Sequence, residues 1–203
     1  MGSKITGEDG FGSKSESFNK EKKKLFLEHH KGVFMALSVK NLRDQAVRKN
    51  EDGELDVEHW IKETTKQIWD EKLVGMIYEY YHEDAVIHAG AGKDIEGAQE
   101  IVEDTLTWQS AFPDIEIRIR DVLWSGGKEE GYRTSMPWSM VGTNTRPSIY
   151  GQPTGKKLTE ENNLGIANCL VQKVSGKWQY VEEWSQYDTE AMKEVCSRDK
   201  KGE

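Results

Sequence analysis

Apolar residues recur at helical spacing in three stretches of the middle of the chain. The first stretch begins near Asp56, and its apolar face is formed by Val57, Trp60, Ile61, Thr64 and Ile68. The helical phase slips at Trp69, and Asp70 is expected to cap a short second helix that extends to about residue 80. The third helix follows Gly97 and ends before Pro113, because the residue preceding a proline is disfavoured in the α region.

After residue 114 the helical spacing gives way to alternation of apolar and polar residues, which is typical of half-buried strands. The alternation predicts strands over 115–124, 132–141, 164–174 and 177–186, and a shorter strand over 84–88. Pro137 predicts that its strand lies at an edge or contains a bulge. Helices followed by a meander of strands predict an α+β fold, in which helices cover one face of a curved antiparallel sheet and form a cone-shaped pocket.

The chain divides by composition into a globular part and less apolar ends. Residues 1–19 are rich in Gly, Ser and charge and are predicted to be a disordered tail. Residues 20–55 carry a weaker helical stripe and are predicted to be a helical extension that ends in the turn Asn50 to Gly53. The α+β domain is expected over 56–195, and 196–203 form a charged tail.

The overall charge narrows the classes of partner. The 203 residues include 36 Asp and Glu but 28 Lys and Arg, a net charge of −8. This balance argues against a nucleic-acid-binding surface, which needs Lys and Arg, and against attachment to an anionic membrane. No stretch approaches the roughly 20 apolar residues that span a bilayer. Cys169 and Cys196 are expected to be free thiols in a reducing compartment, so we expect a cytoplasmic protein.

Several short motifs, in order, resemble those of the SnoaL-like polyketide cyclases in the nuclear transport factor 2-like superfamily. The likeness covers about residues 60–192, and its markers are Tyr80 to His88, Gly97, Phe112-Pro113-Asp114, Gly142-Thr143-Asn144, Gly151 to Gly155, Ser175-Gly176-Lys177 and Glu182-Glu183-Trp184 with Asp188. The resemblance implies a cofactor-free enzyme that performs acid–base chemistry (cyclisation, isomerisation or hydration) on a small hydrophobic carbonyl compound. The alternative is a non-catalytic module that binds a small molecule or serves as a dimerising scaffold.

The resemblance also implies a catalytic acid at Glu183, while Cys169 occupies the position of the family histidine and is a candidate ligand-binding residue. A thiol does not replace imidazole as a base near neutral pH without a large shift of its pKa. Strand alternation puts Glu183 on one face with Val181 and Ser185, where desolvation is expected to raise the pKa of the carboxyl. The alternative is that Glu183 points to solvent or pairs with an arginine.

Four further residues are candidates for the site. His88 precedes the small residues 89–92, so it is a candidate second proton-handling group, or a histidine hydrogen-bonded at a strand end. Trp138 is the preferred aromatic wall of the pocket. Asn144 and Asn168 are candidates to orient a carbonyl group, or they are turn and edge residues.

Neither a metal nor a cofactor is expected from the motifs. His82, Glu83 and Asp84 are not spaced as a metal-binding motif, and no phosphate-binding loop or nucleophile elbow is present. The expected partner is a second copy of the chain. Alternation puts Trp178, Tyr180 and Trp184 together on the outer face of the sheet, where an exposed aromatic patch favours a homodimer.

Overall fold

The computed structural model of the chain describes residues 38–197. The predicted tail at 1–19, most of the predicted extension and the end of the charged tail lie outside this range. The chain divides into two units, Met1–Leu42 and Arg43–Glu203, and every described strand belongs to the second unit. The predicted turn after residue 49 is present: the Asn50 side-chain oxygen accepts hydrogen bonds from the backbone N–H groups of Asp52 and Glu54.

Five α-helices occur in the described range. They are α1 (Val39–Ala46), α2 (Val57–Thr65), α3 (Ile77–Tyr80), α4 (Gly97–Ala111) and α5 (Thr189–Cys196). The carboxylate of Asp56 caps α2 by accepting a hydrogen bond from the His59 N–H at 3.1 Å. Helix α5, which the periodicity did not predict, is capped in the same way by Asp188.

A π-helical segment, Lys66–Asp70, follows α2 and explains the predicted slip of the helical phase. Each turn of a π-helix holds about one more residue than an α-turn, so side chains after it rotate to a new face. The expectation that Asp70 caps the next helix is wrong. Its carboxylate instead accepts a hydrogen bond from the backbone N–H of Ile117 at 3.0 Å, and it thereby ties the π-helical segment to the sheet.

Eight strands form one sheet, which confirms the predicted α+β fold with a curved sheet. They are β1 (Tyr81–Ala89), β2 (Lys93–Glu96), β3 (Glu116–Ile119), β4 (Leu123–Gly127), β5 (Gly131–Thr143), β6 (Lys157–Leu158), β7 (Gly165–Val174) and β8 (Lys177–Tyr187). The strand order is β2-β1-β8-β7-β5-β3, and β4 and β6 also pair with β5. The sheet is mixed rather than purely antiparallel, because β1 runs parallel to β8. No hairpin joins these two strands, so their direction is not imposed by a turn.

The single strand predicted over 115–124 is two strands, β3 and β4, with a break between them. The break lies opposite Pro137, which is in β5, between two neighbouring strands, and therefore not at an edge. Across the break the pairing shifts by one residue, from Ile119 with Trp138 to Leu123 with Ser135, which is the irregularity of a bulge. The pairing of β5 with β3 ends at Trp138, and its pairing with β4 begins at Ser135. Pro137 has no N–H and cannot donate a hydrogen bond to the neighbouring strand. A break in that strand at this point therefore costs no hydrogen bond from Pro137.

Strand β8 contains a bulge that changes which side chains face the helices. Leu170 of β7 pairs with Glu182, but Val171 pairs with Tyr180, so Val181 is the extra residue. Tyr180 is consequently only 3% exposed. Trp178 lies on the same face and packs 5.3 Å from the ring of Tyr132, so the prediction that Tyr180 and Trp178 belong to the outer face with Trp184 is wrong. No helix in the described part of the chain is long and apolar enough to span a membrane.

Candidate active site

A cavity of about 100 Å³ lies between the helices and the inner face of the sheet. This volume exceeds the roughly 10–15 Å³ that one water molecule needs. Most of its wall is apolar and consists of Ile68, Trp69, Ile77, Ile87, Ala89, Ile95, Ile101, Trp108, Ile117, Met136, Trp138 and Met140. A few polar side chains also reach it, which is the composition expected of a small-molecule site.

Glu183 is the buried carboxylate of this cavity. The residue is 8% exposed, and the hydroxyl of Tyr81 donates a hydrogen bond to its Oε2 at 2.9 Å. Burial raises the pKa of Glu183 to about 7, although hydrogen bonds from Tyr81 and Ser185 act in the opposite direction. The carboxyl is therefore poised to gain and lose a proton near neutral pH, as a general acid or base must.

Tyr81 reaches Glu183 because β1 and β8 are neighbours in the sheet. Tyr81 pairs with Tyr180 and, after a bulge in β1, Ile87 pairs with Glu183. The rings of Tyr81 and Tyr180 lie 4.7 Å apart. Burial, and next the charge of Glu183, hold the pKa of Tyr81 well above its usual value. Tyr81 therefore remains a neutral hydrogen-bond donor at physiological pH.

A second hydroxyl pair supports the floor of the cavity. The Tyr180 hydroxyl and Thr64 Oγ1 lie 2.8 Å apart, and Thr64 donates to the carbonyl oxygen of Trp60 at 2.9 Å. Because the Thr64 proton is used in this way, Tyr180 is the donor to Thr64. The centroid of the Trp60 ring lies 4.5 Å from that of Tyr180. Trp60 and Thr64 of α2 therefore hold the Tyr180 ring, against which Tyr81 packs.

Cys169 lies directly opposite Glu183 in the pairing of β7 with β8. Its thiol is 2% exposed, and burial, followed by the charge of Glu183, raises its pKa well above the usual value. The thiol is thus neutral, and its chemistry is that of a small apolar group. Within the described range Cys169 packs beside Glu183 and does not line the cavity.

His88 and Glu183 lie on opposite faces of the sheet, so the structure does not bring these two candidates together. The residue of β1 that pairs with Glu183 is Ile87, while His88 pairs with Trp184. His88 Nδ1 lies 2.9 Å from Asp94 and its Nε2 lies 3.1 Å from Glu182. These two hydrogen bonds, first that of Asp94, raise the pKa of His88.

Of the other three candidates, one lines the cavity and two lie away from it. Trp138 lines the cavity, and its ring packs on Gly165. Asn144 is buried away from the cavity, where its Oδ1 accepts a hydrogen bond from the Thr154 N–H at 2.8 Å. Its amide therefore shapes a loop. Asn168 is exposed on the outer face of the sheet, opposite Trp184.

Sequence reasoning missed a second carboxylate at the cavity wall, Asp104 of α4. Lys93 Nζ donates to its Oδ1 at 2.9 Å, and Trp108 Nε1 donates to its Oδ2 at 3.2 Å. A signal was present, because Asp104 interrupts an apolar helical stripe that includes Ile101 and Trp108. Tyr81 gave no such signal, since its role depends on the parallel pairing with β8.

The ligand-capable atoms of His82, Glu83 and Asp84 lie within 4.8 Å of one another. The cluster occupies the bulge of β1, and its two acidic residues are exposed. His82 Nδ1 already accepts a hydrogen bond from the Asp84 N–H at 3.2 Å. Exposed acidic groups of this kind are common without a metal.

Comparison with known proteins connects this arrangement to one family. A sequence model described as SnoaL-like polyketide cyclase matches residues 59–194. A structure assigned as a SnoaL-like polyketide cyclase, from Jannaschia sp. CCS1, has a TM-score of 0.53 at 16% identity and covers 71% of this chain and 96% of its own. One assigned as a polyketide cyclase, from Acidithiobacillus ferrooxidans, has a TM-score of 0.51 at 18% identity and covers 66% and 90%. No curated protein matches the chain in sequence. At these identities the structural matches establish the fold alone.

Proposed function

Because the chain belongs to the SnoaL-like polyketide cyclase family, we propose that it is a cofactor-free enzyme performing acid–base chemistry on a small hydrophobic carbonyl compound. One observation carries the proposal. Glu183 is buried in an apolar cavity, has a pKa of about 7 and is hydrogen-bonded to the neutral hydroxyl of Tyr81. A carboxylate in such a place destabilises the fold when it ionises, so its presence favours a functional role.

The proposed reaction begins when ionised Glu183 removes a proton from the carbon next to the carbonyl group. The electron pair of the broken C–H bond moves onto the carbonyl oxygen. Because Glu183 is then protonated, the Tyr81 hydroxyl transfers its one hydrogen bond from the carboxyl group to the enolate oxygen and stabilises it. In a cyclisation, the enolate carbon then attacks a second carbonyl carbon of the same molecule. The alkoxide that forms takes the proton back from Glu183, which restores the carboxylate. Return of the proton to a different carbon would instead be an isomerisation.

The first step can be tested without the natural substrate. Acetophenone in D₂O exchanges its methyl protons for deuterium when a base removes them, and proton NMR follows the exchange. We expect the wild-type protein to accelerate this exchange and Glu183→Gln to reduce the acceleration by about 100-fold or more. Glu182→Gln is the matched control, because Glu182 is the preceding residue and contacts His88 on the outer face. Equal rates for wild type and Glu183→Gln would contradict the proposal.

A non-catalytic binding module is the second candidate function. The observation that favours it is the separation of His88 from Glu183, because the described residues that line the cavity then include two carboxylates, Glu183 and Asp104, and several hydroxyls but no imidazole. A binder would take up acetophenone but would not accelerate its deuterium exchange. The exchange experiment therefore distinguishes the two candidates.

The proposed partner of the outer sheet face is a second copy of the chain. Leu123 is 61% exposed, Trp124 50% and Trp184 37%. These three side chains, here called the outer patch, line one shallow depression on the sheet. Contiguous exposed apolar surface of this kind favours association. This supports a homodimer formed through the outer sheet face.

A further inference from the structure

A second pocket of about 270 Å³ lies next to the cavity and is here called the outer pocket. Three aromatic rings line most of it, those of Trp108, Tyr150 and Tyr187, together with Met192, Lys193 and Cys196 of helix α5 and the adjacent Ser197. Aromatic rings, a thioether and a thiol are polarisable and apolar, and they suit a flat, apolar ligand group.

The cavity and the outer pocket share two wall residues, Trp108 and Tyr187. The rings of these two residues meet edge to face, with centroids 5.7 Å apart. Trp108 also contacts Tyr150, at 5.2 Å between ring centroids. Among the described residues, this aromatic pair is therefore the wall that the cavity and the outer pocket share.

The ring of Trp108 is held in its place by charged neighbours. Its Nε1 donates to Asp104, and Lys93 holds the other oxygen of the same carboxylate. This arrangement gives Asp104, which the proposed chemistry does not use, a positioning role. It fixes the shared wall without putting a free charge into the cavity.

Helix α5 forms the far wall of the outer pocket and is itself anchored. The Thr154 hydroxyl donates to the carbonyl oxygen of Val195 at 2.6 Å, and Lys156 Nζ donates to that of Glu194 at 3.3 Å. Met192 and Val195 are 6% and 5% exposed. Among the described residues, the part of the wall that α5 contributes is thus a packed helix.

We propose that the outer pocket is a second compartment of the binding site, which takes the flat, apolar far end of an elongated substrate whose carbonyl end reaches Glu183. Trp108 and Tyr187 line both compartments, and the substrate would lie along this shared wall. The inference rests on the proposed function for the position of the carbonyl end. The substrate class is then an elongated aryl ketone and not a compact aliphatic one.

The test compares binding of acetophenone, which has one ring, with 4-acetylbiphenyl, which has two rings in line. Calorimetric titration gives both dissociation constants. We expect the wild-type protein to bind 4-acetylbiphenyl about 10-fold or more tightly, because the second ring is buried in the outer pocket. Cys196→Phe extends a ring into that pocket. It should remove the advantage of the longer ketone and leave acetophenone binding unchanged.

Glu194→Phe is the matched control, since Glu194 is exposed on the same helix and does not line the outer pocket. It should keep the wild-type ratio of the two constants. If Cys196→Phe does not fold, Lys193→Phe fills the pocket from an exposed position of α5. A wild-type ratio near one, or a ratio that survives both substitutions, would overturn the second compartment. A normal ratio together with deuterium exchange independent of Glu183 would overturn the proposed chemistry instead.

Discussion

The carboxyl of Glu183 experiences two opposed influences at the scale of a single residue. Burial favours its neutral form, whereas hydrogen bonds from Tyr81 and Ser185 favour the carboxylate. Burial is the larger influence, and the balance leaves the pKa near 7. The raised pKa of this carboxyl should make the stability of the protein depend on pH, in addition to any role in a reaction.

We expect the stability to fall as the pH rises through the range in which Glu183 ionises. Below about pH 4.5 the carboxyl is protonated in both the folded and the unfolded protein. Between pH 4.5 and about 7 the unfolded chain loses this proton while the folded protein keeps it, so stability decreases with pH by roughly 3 kcal/mol in total. Glu183→Gln does not titrate and should lack this decrease.

Urea denaturation of both proteins at pH 4.5, 6 and 8 measures the effect. The free energy of unfolding of Glu183→Gln, relative to wild type, should rise across this series. Glu129→Gln, in the exposed turn before β5, should follow wild type at every pH. A constant difference between Glu183→Gln and wild type would mean that the folded carboxyl titrates normally.

The residues of the candidate site were only partly accessible to sequence reasoning. Glu183 was selected by family likeness and Trp138 as a large aromatic residue in a strand, and both line the cavity. Their roles stay predictions. His88 was selected because small Ala and Gly residues follow it. This local feature does not determine the face of the sheet on which the His88 side chain lies. The partner of Glu183 is Tyr81, from which it is separated by 102 positions, and local patterns carry no information on such a contact.

At the scale of elements, periodicity predicted α2, α4 and most strands because each has one buried face. It failed where neighbours decide the conformation. The bulge at Val181 moves Tyr180 inward, and the break between β3 and β4 follows from Pro137 in the adjacent strand. The parallel pairing of β1 is likewise set by packing of distant segments, which alternation within one strand does not encode.

The contact between Trp138 of β5 and Gly165 of β7 gives a prediction about the packing of two neighbouring strands. A Cβ atom at Gly165 would lie 2.5 Å from the ring of Trp138. We expect Gly165→Ala to destabilise the protein by about 1–3 kcal/mol, because the ring must move in a packed interior. The displaced ring should narrow the cavity and weaken acetophenone binding. Urea denaturation and calorimetric titration measure the two effects.

Gly75→Ala is the matched substitution, since no atom lies within 4 Å of a Cβ at that position. It should retain both wild-type stability and wild-type binding of acetophenone. Unchanged stability of Gly165→Ala would show that Trp138 moves freely, which would contradict its assignment as a fixed wall of the cavity.

At the scale of the whole molecule, the outer patch predicts self-association. Light scattering at micromolar concentration should give the mass of a dimer for wild type. Trp124→Glu places a charge in the patch and should give a folded monomer, because Trp124 is half exposed and its replacement leaves the core intact. Ile149→Glu is the control: Ile149 is 81% exposed and lies outside the patch. A monomeric wild type would contradict the proposed homodimer.

The parallel pairing of β1 with β8 also determines when the protein can become active during its synthesis. Tyr81 leaves the ribosome 102 residues before Glu183, a delay of about 5–20 s at 5–20 residues per second. Throughout that interval the apolar face of β1, with Ile87 and Ala89, has no β8 beside it. Contacts between such distant positions form slowly. The nascent chain is therefore the form most exposed to aggregation, and it is the form on which a chaperone would act.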